Sequence, residues 1–286
     1  MSGSAGGGSR ADGGDGAHAD DVVRRLRSAG CVFAEQETRL LMATFVGAAL
    51  DDALARRVSG EPLEHVLGWA DFAGLRVHVR TRVFVPRRRA EALVAAVDDV
   101  LARIHPRAEQ SVVVVDLGCG SGALAAALST RWPSALVHAC DLDPDAVACA
   151  RVNGAEFGFA VHEGDWLSAL PSALAGSVDV VAAHLPYVPM GDVRLLPREY
   201  REHEPRLALD GGPDGLDPLR QVLGQLATWL APSGVMLCQV ARHQLVAVRA
   251  AGAGAGLRVR VLDDPHEDDG EDVVVLAVAR GRPSTH

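Results

Sequence analysis

The sequence predicts an α/β fold with a doubly wound sheet of seven strands, preceded by a small helical bundle and a β-hairpin. Strand-like apolar segments alternate with helix-like segments from residue 112 onward, which is the pattern of such a sheet. Four consecutive valines at 112–115 run into a glycine-rich loop, and a continuous apolar run bounded by glycines is typical of a strand buried on both faces. The alanine- and leucine-rich residues 123–131 are predicted to form the helix that follows.

The N-terminal third divides into three parts before this sheet begins. Residues 1–17 are glycine, serine and aspartate with almost nothing apolar, so we expect a disordered tail. Residues 18–60 repeat apolar side chains at three- and four-residue steps, which indicates a bundle of two or three helices. Residues 61–86 are predicted to form a β-hairpin linker, because apolar and polar side chains alternate over residues 75–80 within this range. The α/β domain then covers residues 87–286.

The other strands of the sheet follow from similar apolar segments. They are expected at residues 135–140, 159–162, 178–183, 235–240, 257–262 and 273–279, the last two as an antiparallel hairpin around the acidic run 263–272. Asp143 and Pro144 are suited to begin a helix, as its cap and its first residue.

Composition excludes several classes of function. The formal net charge is −9, which argues against nucleic-acid binding, and no apolar run is long enough to cross a membrane. All 28 basic residues are arginine, so no lysine can act as a base or form a Schiff base. The five cysteines form no CxxC pair, which predicts reduced thiols, no metal site and a cytoplasmic protein. No secretory signal is visible.

Polar residues follow four of the predicted strands: Asp116, Asp141, Asp165 and His184. Ligands of doubly wound sheets bind at the carboxyl ends of the strands, so these four side chains are expected at one site. Asp141 could accept hydrogen bonds from both hydroxyls of a ribose. Trp166 could stack on a flat ring, although a core position is the alternative interpretation.

The glycine loop resembles the first motif of S-adenosylmethionine (SAM) methyltransferases, because its spacing is G-x-G-x-G and an acid precedes it by two residues. An ordinary glycine-rich turn is the alternative. The resemblance implies a Rossmann-like methyltransferase domain, in which the loop wraps the amino-acid end of SAM and the acid after the third strand binds the adenine amine. The implied cofactor-binding residues are Asp116, Gly118, Cys119, Gly120, Ser121, Gly122, Asp141, Leu142, Asp165, Trp166 and His184.

Three further stretches resemble the HemK/PrmC family of protein-(glutamine N5) methyltransferases, and the resemblance spans roughly residues 18–280. They are the hairpin region 60–75, the segment 85–91 and, as the most specific signal, HEPRLALDGG with DGL at 203–216. The family methylates the glutamine of the GGQ motif in peptide-chain release factors. The resemblance therefore implies a release factor as the protein partner, recognised by the N-terminal helical bundle.

The acceptor motif of this family is Asn-Pro-Pro-Tyr, and here it reads His184, Leu185, Pro186 and Tyr187. In the family the Asn side chain and the next carbonyl accept hydrogen bonds from the glutamine amide, and the Tyr packs on the amide plane. The resemblance makes these four residues the catalytic set. Neutral histidine can replace one acceptor, but protonated histidine cannot.

Two interpretations follow from this altered motif. Either the chain methylates a glutamine amide with a changed motif, or it binds SAM while its activity is lost or redirected to another acceptor. DNA adenine methylation, which uses a similar motif, is disfavoured by the acidic charge and the lack of a DNA-reading insert.

Overall fold

The computed structural model describes residues 12–104, 112–262 and 273–280, and the chain divides into two compact units that meet between Leu67 and Gly68. The first unit holds α1 (Asp12–Ser28), α2 (Ala34–Thr44), α3 (Ala48–Val58) and α4 (Leu63–Leu67). Its helices bury the apolar side chains that recur at helical spacing, among them Leu26, Leu41 and Leu54.

Charged pairs link the helices of this first unit. Arg57 on α3 donates from Nε to Glu37 on α2 over 2.7 Å, and both side chains are about nine-tenths buried. Arg56 donates from Nε to Glu61 over 2.8 Å, which fixes the connection from α3 to α4. Fork-shaped arginine–carboxylate contacts of this kind set the relative orientation of the segments they join.

The predicted disordered tail is wrong for residues 12–17, because α1 already begins at Asp12. Extending a helix by one residue costs much less than starting one, so a helix nucleated around the buried Val22 and Leu26 continues into a glycine-rich segment. Residues 1–11 of the expected tail lie outside the described residues.

The second unit opens with a β-hairpin of β1 (Trp69–Phe72) and β2 (Leu75–His78). Ala73 and Gly74 both have positive φ, which suits a two-residue turn between twisted strands. The predicted hairpin, 61–86, is too long at both ends, since residues 63–67 form α4 and residues 83–85 form no strand. Val83 and Val85 are buried, but neither belongs to a strand.

The remaining elements form the doubly wound sheet and its covering helices. They are α5 (Glu91–Ile104), β3 (Val113–Leu117), α6 (Ala123–Arg131), β4 (Leu136–Asp141), α7 (Pro144–Phe157), β5 (Ala160–Glu163), β6 (Val178–Ala183), α8 (Arg198–His203), α9 (Asp217–Trp229), β7 (Leu230–Ala241), α10 (Leu245–Gly254), β8 (Leu257–Leu262) and β9 (Val273–Arg280).

The described strands of this sheet number seven, in the order β5-β4-β3-β6-β7-β9-β8. The first five in that order are parallel, and β9 runs antiparallel to both β7 and β8. The predicted seven-stranded α/β fold and its terminal hairpin are thus confirmed. The acidic run 263–272 between β8 and β9 lies outside the described residues.

Each face of the sheet has its own apolar core. One face packs mainly against α5, α6, α7 and the β1–β2 hairpin, and the other against α9 and α10. Every residue of β3 is buried, which places this strand at the centre of the sheet. Asp143 caps α7 by accepting a hydrogen bond from Asp145 N, and Pro144 stands at the first helical position, as predicted.

Candidate functional site

A cavity of about 650 Å³ lies within the second unit, at the carboxyl ends of β3, β4 and β6. This is the edge at which doubly wound sheets bind their ligands. Most of the predicted site residues border it: Asp116, Gly118, Cys119, Gly120, Ser121, Asp141, Leu142, Asp165, Trp166, His184 and Pro186. Gly122, Leu185 and Tyr187 do not line the cavity wall.

The glycine loop after β3 turns through three left-handed backbone conformations, with φ of 69° at Gly118, 54° at Gly120 and 78° at Gly122. Residues with a side chain rarely adopt these angles, so the glycines are required by the course of the loop. A Cβ at Gly122 would also lie 2.8 Å from the Phe159 ring. Gly122 therefore serves close packing and the start of α6, whereas Gly118 and Gly120 face the cavity.

Asp116, at the end of β3, is buried beside the cavity. Its Oδ2 atom accepts a hydrogen bond from Ala125 N, in the first turn of α6, over 2.9 Å. Burial raises the pKa of Asp116 to about 7, against the opposing effect of this hydrogen bond, and Asp141 adds to the increase. A buried carboxylate near the positive end of a helix suits a cationic group of a ligand.

Asp141, at the end of β4, ties the glycine loop to the neighbouring strand. Its Oδ2 atom accepts from Gly120 N over 2.8 Å, and its Oδ1 atom accepts from Asp143 N over 3.0 Å. Burial raises the pKa of Asp141, and these backbone donors oppose the increase. Each carboxylate oxygen still has a second lone pair that a ligand hydroxyl could use.

Trp166 follows β5 and borders the cavity with its ring partly buried. Its φ is 48°, an unusual backbone conformation for a bulky residue, and its indole Nε1 donates to Gln221 Oε1 on α9 over 2.8 Å. The ring also lies against the glycine loop, since Trp166 Cζ3 is 3.5 Å from the position that a Cβ of Gly118 would take. This ring therefore borders the cavity and also packs against the apolar core on that face of the sheet, and the exposed Asp165 precedes it.

The motif His184–Tyr187 continues from β6, the strand beside β3, and borders the cavity through His184 and Pro186. His184 packs edge-on against Phe84, with ring centroids 5.8 Å apart, and lies 6.2 Å from the Tyr187 ring centroid. Leu185 is buried, and burial raises the pKa of the Tyr187 hydroxyl. The structure thus brings the altered motif to the same cavity as the glycine loop.

His184 is neutral at physiological pH. Burial, together with the positive charges of Arg89 and Arg87, lowers its pKa to about 3. The Nε2 atom is enclosed and has no hydrogen-bond partner. A buried nitrogen without a partner is costly, so it is available to a ligand that brings one.

Sequence reasoning identified the strand-end residues but missed one wall of the cavity. That wall comes from segments far along the chain, and it includes Phe84, Pro205, Gly211, Asp217 and Gln221. The motif at 203–216 was noticed only as a family resemblance. Its density of glycine and aspartate was the one signal that could have assigned it to the site.

The remaining predicted residues have smaller parts. Burial raises the pKa of the Cys119 thiol well above its usual range, so it is not a nucleophile. Ser121 is buried in the loop, and the Leu142 side chain is half exposed at the cavity rim.

Within the three described ranges, no three His, Cys, Asp or Glu side chains cluster as metal ligands would. In the same ranges, no helix combines the length and apolarity needed to cross a membrane.

The chain resembles known methyltransferases in sequence. A family model described as a methyltransferase domain matches residues 114–203. The release factor glutamine methyltransferase of Bradyrhizobium diazoefficiens is 31% identical over 281 residues, covering 92% of this chain and 93% of that protein. A 4-amino-L-phenylalanine/4-methylamino-L-phenylalanine methyltransferase of Streptomyces pristinaespiralis is 34% identical over 271 residues, covering 88% of this chain and 91% of that protein.

Among solved structures, the N-terminal domain of human METTL16 in complex with SAH has a similar fold. The TM-score is 0.56 at 12% identity, covering 91% of this chain and 95% of that one. At this identity the likeness supports the fold alone. The match to the Bradyrhizobium protein shows more, because the identity exceeds 30% and the match covers more than nine-tenths of both chains. The chain is a SAM-dependent methyltransferase and belongs to the release factor glutamine methyltransferase family.

Proposed function

We propose that this protein transfers a methyl group from SAM to the side-chain nitrogen (N5) of a glutamine, that of the GGQ motif in a peptide-chain release factor. The observation that carries the proposal is that His184 and Pro186 of the motif 184–187 line the same cavity as Asp116 and Asp141. Membership of the family supports the same substrate, since the Bradyrhizobium relative is named for this reaction.

The cavity has the features that SAM requires. Its volume, about 650 Å³, is within the range of small-molecule sites, and the glycine loop leaves room for a ligand close to the backbone. We assign Asp116 to the ammonium group, Asp141 to the ribose hydroxyls, and Asp165 with Trp166 to the adenine. Gly118, Cys119, Gly120, Ser121 and Leu142 complete the cofactor site, and Gly122 supports the shape of the loop from behind the wall. SAM supplies an electrophilic methyl group on a sulfonium.

The acceptor amide is oriented by residues of this chain. An amide nitrogen is a poor nucleophile, so catalysis depends on positioning and on electrostatic stabilisation. Neutral His184 accepts one amide hydrogen through a ring nitrogen, and the Leu185 carbonyl accepts the other. Pro186 restricts the backbone, and Tyr187 packs on the plane of the amide. The nitrogen lone pair would then face the methyl group of bound SAM. The N–C bond would form as the S–C bond breaks, with S-adenosylhomocysteine as the leaving group and release of one proton from the nitrogen.

The first unit is assigned to recognition of the protein substrate. Residues 18–60 form most of this unit, and Val32, Phe33 and Val46 expose apolar side chains in the loops between its helices. Exposed apolar residues of this kind are typical of protein-binding surfaces. A release factor acts on ribosomes in the cytoplasm, so we place the protein there. The acidic charge supports binding of a protein and not of nucleic acid.

Mass spectrometry of release factors from the same organism tests the proposal. The protein is incubated with SAM and each purified factor, and the GGQ peptide is expected to gain about 14 Da on its glutamine. A factor with GGA in place of GGQ and the enzyme variant Asp141→Ala are the controls, and neither should give the product. An unmodified GGQ peptide under conditions where SAM is bound would overturn the proposal.

A second acceptor belongs in the same experiment. The Streptomyces pristinaespiralis relative is named for 4-amino-L-phenylalanine, and its similarity extends over most of both chains. His184 in place of the family's asparagine changes a residue assigned to the acceptor, which is compatible with a changed acceptor. Methylation of 4-amino-L-phenylalanine in the absence of any GGQ product would mean that the acceptor is an arylamine and not the glutamine.

A further inference from the structure

Gln244 is a buried residue between β7 and α10, and it has no assigned part in the proposed reaction. Its side-chain amide is fully hydrogen-bonded: Nε2 donates to Tyr187 O over 2.9 Å and to Asp214 O over 3.0 Å, while Oε1 accepts from Ala241 N over 3.0 Å. One amide therefore joins the acceptor motif, the 203–216 segment and the end of β7.

The three segments meet closely at this point. Gly215 has φ of 79°, and a Cβ there would lie 2.5 Å from Gln244 Nε2 and collide with the Tyr187 carbonyl. A glycine is thus needed for Gln244 to reach Tyr187. Such a close approach is evidence that the contact is built into the loop and is not an incidental contact between mobile side chains.

The backbone just after Tyr187 is held by hydrogen bonds from the 203–216 segment. Gly211 N donates to Val188 O over 2.8 Å, and Met190 N donates to Gly212 O over 2.8 Å. These backbone bonds begin one residue beyond the motif, whereas the Gln244 bond acts on the motif itself. Because the peptide unit is planar, fixing the Tyr187 carbonyl restricts ψ of Tyr187 and the course of the residues on either side.

We propose that Gln244 is a positioning residue of the acceptor site, which holds the Tyr187 carbonyl so that the Tyr187 ring and the Leu185 carbonyl meet the acceptor in the reactive orientation. The use of these groups by an acceptor rests on the proposed function. The position that Gln244 imposes on Tyr187 is a property of the protein alone, and it can be measured without any substrate.

A purely structural role is the competing explanation, since Gln244 Oε1 also closes the turn before α10. Two variants separate the roles. Gln244→Glu keeps an oxygen acceptor for Ala241 N but loses both donors, and Gln244→Met keeps the side-chain volume but loses all three bonds. If the side chain only filled space, the Met variant would behave as the wild type.

Fluorine NMR gives the first readout, because the chain contains only two tyrosines, Tyr187 and Tyr200. Protein labelled with 3-fluorotyrosine should give two resonances, which the Tyr200→Phe variant assigns. In Gln244→Glu and Gln244→Met, we expect the Tyr187 resonance to shift or broaden while the Tyr200 resonance stays in place. Gln225→Glu on α9, a half-buried glutamine outside the cavity wall, is the matched control and should move neither signal.

Kinetics on the release factor give the second readout. Loss of positioning should lower kcat by roughly 10- to 100-fold, with the Kd for SAM unchanged within about twofold. If folded Gln244→Glu kept both the Tyr187 resonance and kcat of the wild type, the proposal would be overturned. It would also be overturned if the affinity for SAM fell by the same factor as kcat. If Gln244→Glu does not fold, the uncharged Met variant decides. If the wild type methylates no release factor, the proposed function fails, and the NMR result still decides the role of Gln244.

Discussion

Arg87 lies with its Nη2 atom 2.5 Å and 2.6 Å from the two carboxylate oxygens of Glu204, a residue 117 positions later in the chain. The Glu204 side chain is completely buried, and the guanidinium of Arg87 is covered by the rings of Phe84 and Tyr200. The pair joins the segment that follows the hairpin to the 203–216 segment. Both segments contribute to the cavity wall, so the pair holds two parts of that wall together.

Glu204→Gln should destabilise the protein strongly, because it leaves the buried charge of Arg87 without its partner. We expect a loss of about 3–5 kcal/mol in the free energy of unfolding, measured by urea denaturation. The double variant Arg87→Met with Glu204→Leu removes both charges and should recover most of that loss. A Glu204→Gln protein within about 1 kcal/mol of the wild type would contradict a structural role for the pair.

His184 should make the protein less stable in acid. The unfolded chain binds a proton at an ordinary histidine pKa of about 6.5, whereas the folded chain holds His184 neutral down to a pKa of about 3. Stability therefore falls as pH drops below about 6.5. At about pH 5 the wild type should lose roughly 2 kcal/mol more than His184→Asn, relative to neutral pH. If paired urea titrations gave equal losses of unfolding free energy for both proteins, His184 would have an ordinary pKa in the folded protein.

His184→Asn restores the family's acceptor residue and should retain or raise methyl transfer to the GGQ glutamine. An asparagine oxygen offers two lone pairs where the neutral ring offers one acceptor nitrogen. Because the His184 pKa is about 3, the wild type and the variant should show the same pH profile between about pH 5.5 and 8. Complete loss of activity in His184→Asn, with SAM still bound, would instead give the imidazole a role of its own.

The affinity for SAM should decrease below neutral pH. Asp116 has a pKa of about 7 in the free protein, and its assigned partner, an ammonium group, requires the carboxylate. Binding then needs the release of a proton, so the Kd should rise by up to about tenfold for each pH unit below 7. Calorimetric titrations at about pH 6 and pH 8 measure this. Asp116→Asn should bind weakly at both pH values, and a pH-independent Kd for the wild type would remove Asp116 from the ammonium site.

Trp166 should report cofactor binding directly. Trp166→Ala is expected to raise the Kd for SAM by roughly 10-fold, because it removes the ring assigned to stack on the adenine. Gln221→Leu removes only the hydrogen-bond acceptor that orients the indole, and should cause a smaller increase. If Trp166→Ala bound SAM as tightly as the wild type, the adenine would have to lie elsewhere.

Most of the sheet was predictable because its strands carry their own signal. The apolar runs at 112–115 and 178–183 are long and continuous, so the two strands lie within two residues of their predicted positions. The prediction of the hairpin was less accurate, because the alternation at 75–79 does not show which residues will pair with a neighbouring strand. The start of α1 was missed, because composition describes glycine-rich segments in isolation from the helix that they extend.

The candidate site was predictable to the extent that it depends on strand ends. Asp116, Asp141 and His184 follow strands, and parallel strands bring their ends together by topology alone. Gln244 and Gln221 could not be found in this way, because a lone glutamine beside a helix resembles any surface residue until its partners are known. The pKa of His184 also needed the structure, since it follows from burial and from two arginines far away in sequence.

The hydrogen bonds on the backbone after the acceptor motif have a consequence for the motif itself. Tyr187 O, Val188 O and Met190 N are all held by groups outside the motif, on Gln244, Gly211 and Gly212. A loop whose course is imposed by its neighbours can exchange its own side chains and keep its shape. The motif can therefore carry His184 and Leu185 at its first two positions while the backbone beyond it keeps the course that Gln244, Gly211 and Gly212 impose.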